Sequence, residues 1–122
     1  MASILVVDDE RANRELLKAV LTYDGHVVFE AEDGERGLDV LAEQGPDLVI
    51  VDLSMPGMRG TEFVKRVRSS GDEVRETRIA LYTGSDANAA MRDFMALMEI
   101  DHLIPKPAEP EEIISAVRAA LT

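Results

Sequence analysis

Cysteine is absent from the 122 residues, so the core must hold without disulfides or thiolate-bound metal. Basic residues are scarce: 13 Lys and Arg stand against 24 Asp and Glu, for a net charge of −11. A nucleic-acid binder needs a basic footprint to displace counterions from phosphates, and the chain as a whole lacks one. Its densest basic stretch, Lys65, Arg66, Arg68, Arg75 and Arg78, is interleaved with Glu62, Asp72, Glu73 and Glu76, and reads as a solvated helix face and loop. No apolar run is long enough to cross a bilayer. The apolar run nearest the N-terminus is too short for a signal peptide and leads directly into acids. Repeats, low-complexity tracts and linkers are missing as well. From these absences the chain is expected to be a single cytoplasmic domain over residues 1–122, with no nucleic-acid or membrane contact of its own.

What is present is concentrated in one stretch, Ile4-Leu5-Val6-Val7-Asp8-Asp9-Glu10. Four apolar residues without alternation read as a strand buried on both faces. Acids at the end of such a strand repel one another and resist burial. An external positive charge should settle there, and a hard divalent cation, which takes oxygen ligands, suits it.

Down the chain, strand-like and helix-like stretches alternate five times. The apolar face of residues 10–23 (Leu16, Leu17, Val20, Leu21) predicts a helix stopped at Asp24-Gly25. Residues 26–31 suit an edge strand. Residues 35–43 carry Leu38 and Leu41 on one helix face. Residues 47–52 are a second wholly apolar strand ending on an acid, Asp52. A shaped loop, 53–60, and a helix over 61–70 with a Phe63, Val64, Val67 stripe come next. Residues 71–77 read as a charged loop and 78–83 as a third apolar strand ending on Thr83. Gly84-Ser85-Asp86 offers a turn and an N-cap for a helix to about residue 98, with Met91, Phe94, Met95 and Met98 facing the core. Residues 102–105 form a short edge strand, demoted by Pro105. Residues 109–121 form the last helix, with Pro110 in its first turn and Ile113, Ile114, Val117 and Leu121 inward.

Such alternation implies right-handed crossovers and a parallel sheet covered on both faces. The most apolar strands belong at the centre and the second and fifth at the edges. The expected fold is therefore α/β, a flavodoxin-like doubly wound five-stranded sheet of order 2-1-3-4-5. Ligands of such sheets sit beyond the carboxyl ends of the strands. There the chain offers Asp8, Asp9 and Glu10, then Asp52, Thr83 and Lys106. Acids for a metal, with a hydroxyl and an ammonium for an oxygen-rich anion, suit a phosphoryl group held between metal and lysine. Phosphoryl transfer asks the protein mainly for positioning and charge neutralisation. Asp52, on the central third strand, is placed to be the nucleophile, since a carboxylate can form an acyl phosphate. The loop after it could cradle phosphate oxygens with backbone N–H groups. Glu10 reads as a complement to the helix dipole rather than a ligand, and His26 and His102 as structural.

Val6-Val7-Asp8-Asp9-Glu10, residues 51–58 (Val-Asp-Leu-Ser-Met-Pro-Gly-Met), Thr83-Gly84-Ser85 and Lys106-Pro107 together resemble the response-regulator receiver domains of two-component signalling, in order and over essentially the whole chain. The resemblance implies a phosphorylation switch rather than an enzyme with an external substrate, catalysing only its own phosphorylation and slow dephosphorylation. Asp52 would accept a phosphoryl group from a sensor histidine kinase or a histidine phosphotransfer protein. Mg²⁺ would be held by Asp9 directly, by Asp8 mainly through water, by Asp52 and by the Ser54 carbonyl. Lys106 would pair with phosphoryl oxygens, Thr83 would turn its hydroxyl toward them, Ser54 would lie beside them, and Gly84 would give a backbone N–H. The Lys106–Pro107 peptide would be cis. The surface of the fourth helix, fifth strand and fifth helix would then act on a downstream protein or an output domain, and a phosphorylation-linked dimer through that surface stays open.

Two positions depart from the family pattern. Leu103 stands where receivers usually carry a switching aromatic, and Ala108 where a bulky apolar residue commonly follows Lys-Pro. Tyr82 does not simply substitute, because strand alternation points it to the sheet face opposite Thr83. Three other readings compete. A P-loop ATPase shares the apolar strand ending in Asp-Glu but needs a Gly-x-x-x-x-Gly-Lys-Ser/Thr loop, which is missing. A haloacid-dehalogenase-type phosphatase needs a second Asp two residues after its nucleophile, where Ser54 stands. A degenerate receiver acting only as an interaction module is kept alive by Leu103.

Overall fold

A computed structural model describes residues 1–53, 58–84 and 88–122. Five strands, β1 (Ser3–Val7), β2 (Val27–Ala31), β3 (Leu48–Val51), β4 (Arg78–Thr83) and β5 (His102–Pro105), alternate with five helices, α1 (Arg11–Tyr23), α2 (Gly34–Gln44), α3 (Gly60–Arg68), α4 (Ala89–Leu97) and α5 (Pro110–Leu121). The strands form one sheet in the order β2-β1-β3-β4-β5, and every neighbouring pair is parallel. This is the doubly wound topology expected from the alternation.

Strand alternation splits the core into two layers. Leu5, Val7, Val49, Val51, Ile79 and Leu81 face one layer, packed on α2 and α3 through Val40, Leu41, Phe63, Val64 and Val67. Ile4, Val6, Leu48, Ile50, Ala80, Tyr82 and Ile104 face the other, packed on α1 and α5 through Leu17, Val20, Leu21, Ile113 and Val117. The wholly apolar β1 and β3 are central because both faces are covered. The half-exposed β2 sits at an edge.

Local chemistry sets the helix ends. The Asp33 carboxylate accepts from the Arg36 N–H at the start of α2. Gly45, with φ 54°, closes α2 in the left-handed region, where a side chain would be strained. At α5, Glu109 and Glu112 form a reciprocal capping box and Pro110 occupies the first turn.

Four details differ from the sequence reading. Leu16 is 40% exposed, because the buried stripe of α1 runs through Leu17, Val20 and Leu21. The α4 cap is Asn88, whose side-chain oxygen accepts from the Met91 N–H, so the helix starts later than Gly84-Ser85-Asp86 suggests; Ser85 and Asp86 lie outside the described residues. Met91, Phe94, Met95 and Met98 do turn toward the core, yet no residue of α4 is fully buried. The charged stretch after α3 contains a short 3-10 helix, Glu73–Glu76, capped by Asp72. The Arg68 guanidinium holds this segment by donating to the carbonyls of Met98, Arg75 and Thr77 at 2.7 Å each.

Candidate functional site at the carboxyl edge of the sheet

The two-residue strand period assembles the site. Val6, Ile50 and Ile104 lie in the α1/α5 layer, and two residues further on, past the carboxyl ends of their strands, stand Asp8, Asp52 and Lys106. A single strand face thus changes from apolar to charged at one level. The Lys106 ammonium lies 3.4 Å from Asp8 Oδ2 and 3.4 Å from Asp52 Oδ2. Asp8 and Asp52 are buried, at 1% and 5% exposure, while Asp9 faces solvent. Even so, a carboxylate oxygen from each of the three lies within 4.8 Å of the others.

The backbone around these groups is pinned. The Asp8 N–H donates to the Ala31 carbonyl at 3.1 Å and the Asp52 N–H to the Val7 carbonyl at 3.0 Å, which extends the ladder of β1 to both neighbours. Asp8 Oδ1 accepts from the Glu10 N–H at 2.9 Å and Oδ2 from Asn13 Nδ2 at 3.1 Å. Arg14 Nη1 donates to the Asp8 carbonyl at 2.8 Å. Neither Asn13 nor Arg14 stands out in the sequence, although both sit on the first turn of α1, which the strand end directly precedes. The loop after Asp52 returns so closely that a Cβ on Gly60 would overlap the Asp52 carbonyl and the Leu53 Cα. Glycine is therefore required there by contact rather than by φ.

On the other side of the site, the Lys106 N–H donates to the Thr83 carbonyl at 2.9 Å, and the Lys106–Pro107 peptide is cis. Thr83 is buried at the carboxyl end of β4. Gly84 lies against Lys106, where a Cβ would make ordinary contact at 3.9 Å. Ser54 lies outside the described residues. Glu10 occupies the N-cap position of α1 without a side-chain capping bond. His26 and His102 stand on opposite edges of the sheet; His26 Nδ1 accepts from the Ala2 N–H at 3.1 Å.

Tyr82 reaches the site from below. The Lys106 ammonium sits 4.8 Å from its ring centroid, within cation–π range. Burial pushes the Tyr82 phenol up from its ordinary value; the Lys106 charge opposes this, and Asp8 and Asp52 add to it. Strand alternation alone sets Tyr82 and Thr83 on opposite faces; the fold adds that Tyr82 shares its face with Lys106.

Asp8 and Asp52 share the Lys106 ammonium, and the Asp9 carboxylate lies beside them. The donors are all hard oxygens. A divalent oxygen-seeking cation such as Mg²⁺ fits this set in charge and in chemistry.

Residues 4–118 match the family model of the response regulator receiver domain. The chain belongs to that family. It is 37% identical over 125 residues to the response regulator MprA of Mycolicibacterium vanbaalenii, covering 97% of this chain and 49% of that protein. The chain thus spans about half the length of the curated relatives it matches. Among solved structures, the chemotaxis protein CheY4 of Vibrio cholerae is 29% identical and superposes with a TM-score of 0.91 over 99% of both chains. A response regulator from Chloroflexus aurantiacus, 28% identical, gives a TM-score of 0.87 over 98% of this chain and 97% of its own. The receiver is CheY-like in fold and is a signalling domain of two-component response regulators. No helix among the described residues is long and apolar enough to cross a membrane.

Proposed function

We propose that this receiver accepts a phosphoryl group on Asp52, in a Mg²⁺-dependent reaction, from the phosphohistidine of a sensor histidine kinase or a histidine phosphotransfer protein. The observation that carries the reading is the Lys106 ammonium set 3.4 Å from both Asp8 and Asp52, with Asp9 alongside. Asp9, exposed, suits direct metal contact. Asp8, whose oxygens already accept from Glu10 and Asn13, suits contact through water. Asp52 and the Ser54 carbonyl complete the expected set. Mg²⁺ bound there would neutralise the acids and a phosphoryl oxygen.

The residues account for the rest. An Asp52 carboxylate oxygen forms a bond to phosphorus as the bond from phosphorus to the donor histidine nitrogen breaks. Lys106, beside Asp52 Oδ2, stabilises charge on the transferring group, with Gly84 and the loop after β3 adding N–H donors. Thr83 then turns its hydroxyl toward the phosphoryl group. The response spreads through α4, the helix with no fully buried residue and hence the one held by the fewest deeply buried contacts. The altered surface of α4, β5 and α5 acts on a downstream protein or an output domain, or on a second copy of the receiver. Leu103 packs from β5 against the layer that holds the Met91, Phe94 and Met95 side chains. An aliphatic contact thus stands where receivers usually place an aromatic, and the response at this position runs without aromatic rotation.

The test is incubation with Mg²⁺ and a small acyl phosphate, read by mass. One phosphate adduct is expected, absent in Asp52→Asn. An adduct that survives in Asp52→Asn sinks the acceptor assignment, and no adduct in the unaltered chain favours an interaction module without phosphotransfer.

A further inference from the structure

We infer that Tyr82 is a positioning residue for Lys106: its ring is the platform that holds the ammonium between the Asp8 and Asp52 carboxylates. This rests on the phosphorylation reading above for its consequence, though not for its geometry.

The register dictates the contact. Tyr82 pairs with Ile104 across β4 and β5, and both side chains belong to the α1/α5 layer. Lys106, two residues past Ile104, emerges on the same face and lies diagonally across from Tyr82. Diagonal neighbours on one sheet face are within reach when one is aromatic and the other long. The lysine stem leaves this apolar layer with its head 4.8 Å from the ring centroid and 3.4 Å from each carboxylate.

The three partners differ in kind. Both carboxylates change their charge environment during the proposed cycle, Asp8 on metal binding and Asp52 on phosphorylation. The ring face does neither. It attracts the cation in every state, and because Tyr82 is 3% exposed, water competes weakly for that face. A flexible four-carbon side chain loses rotamer freedom when fixed, and a constant attractor on the sheet face reduces the number of places its head can go. A purely structural role would need only apolar volume from Tyr82; the platform role needs an aromatic face.

Two variants separate these roles. Tyr82→Phe keeps the ring and Tyr82→Leu keeps apolar bulk without it. In NMR spectra, the Lys106 Hε protons of the wild type and of Tyr82→Phe should be ring-shifted upfield, and those of Tyr82→Leu should return toward random-coil positions. With saturating Mg²⁺ and acetyl phosphate, Tyr82→Phe should be phosphorylated at the wild-type rate and Tyr82→Leu about 3- to 30-fold more slowly, the range between an exposed and a desolvated cation–π contact. In a Lys106→Ala background, Tyr82→Leu should add little further loss, as expected for two groups acting as one unit.

Lys106 protons without a ring shift in the wild type overturn the proposal. So does a Tyr82→Leu rate equal to wild type, a Tyr82→Phe rate as low as that of Tyr82→Leu, or an equal loss with and without Lys106. If the wild type takes no phosphate at all, the phosphorylation reading fails by itself, and the lysine shifts still decide whether the platform exists.

Discussion

The two rims of the sheet treat their acids in opposite ways. At the amino rim, Asp47 accepts from the Ser3 N–H at 2.8 Å and from the Ser3 hydroxyl at 3.2 Å, tying the start of β3 to the start of β1. Asp24 accepts two hydrogen bonds from Arg118, at 2.6 and 3.2 Å, tying the end of α1 to α5. Each acid there has its own donor, and each link is complete within the chain. At the carboxyl rim, Asp8, Asp9 and Asp52 crowd within 4.8 Å around one lysine. The amino-rim acids join elements together. The carboxyl-rim acids are gathered at one point by the same folded backbone, an arrangement of hard oxygens suited to a divalent cation.

The largest effect should come from removing the ammonium that Asp8 and Asp52 share. Lys106→Ala leaves buried Asp8 and Asp52 facing each other, and without Mg²⁺ should lower unfolding free energy in urea by about 3 kcal/mol, the lower end expected for breaking a buried ion pair. Mg²⁺ binding should persist in that variant while the conformational response to phosphodonor disappears; an unchanged response would refute the lysine's role.

Next, Mg²⁺ itself should raise the stability of the unaltered chain, by about 2.7 kcal/mol at a concentration one hundred times its dissociation constant. Urea unfolding that is indifferent to Mg²⁺ would break the comparison between rims.

A smaller pair of changes should carry opposite signs. In chelator, Asp9→Asn should stabilise by about 0.5–1 kcal/mol by relieving like-charge repulsion, whereas Asp47→Ala should destabilise by about 1 kcal/mol by leaving the Ser3 N–H without its partner. Equal signs in urea unfolding would show that the rims do not differ.

The smallest effect is a pH dependence at the amino rim. Hydrogen bonding to Arg118 holds the Asp24 carboxyl below its ordinary 3.8, with His26 adding to the effect. A lowered folded value contributes stability that is present above about pH 4 and is lost as pH falls through the folded value. Acid unfolding of Asp24→Asn should therefore show a shallower loss of stability below pH 4 than the unaltered chain.

Much of this could be read directly from the residues. The apolar runs Ile4–Val7 and Leu48–Val51 specify buried central strands because nothing polar interrupts them. Alternation with amphipathic helices then leaves few topologies, and β2-β1-β3-β4-β5 is the one found. Acids, a hydroxyl and a lysine at strand ends were legible as a candidate site because parallel strands place all their carboxyl ends on one rim. Leu16 was misplaced because a helix stripe read from composition is wider than the face that finds a partner. The α4 cap was misplaced because Asn88 and Asp86 are equivalent by propensity, and only the path of the chain selects between them.

The sequence by itself determined the fold and the chemical inventory of the carboxyl rim, since periodicity and residue type are local properties. Only the tertiary structure decided who touches whom there. That the Lys106 ammonium stands equally near Asp8 and Asp52 and that the Tyr82 ring lies beneath the lysine are consequences of cross-strand register, and that Asn13 and Arg14 brace Asp8 follows from how α1 leaves the end of β1. Register between β4 and β5 joins residues far apart in the chain, and no local pattern in either segment encodes it.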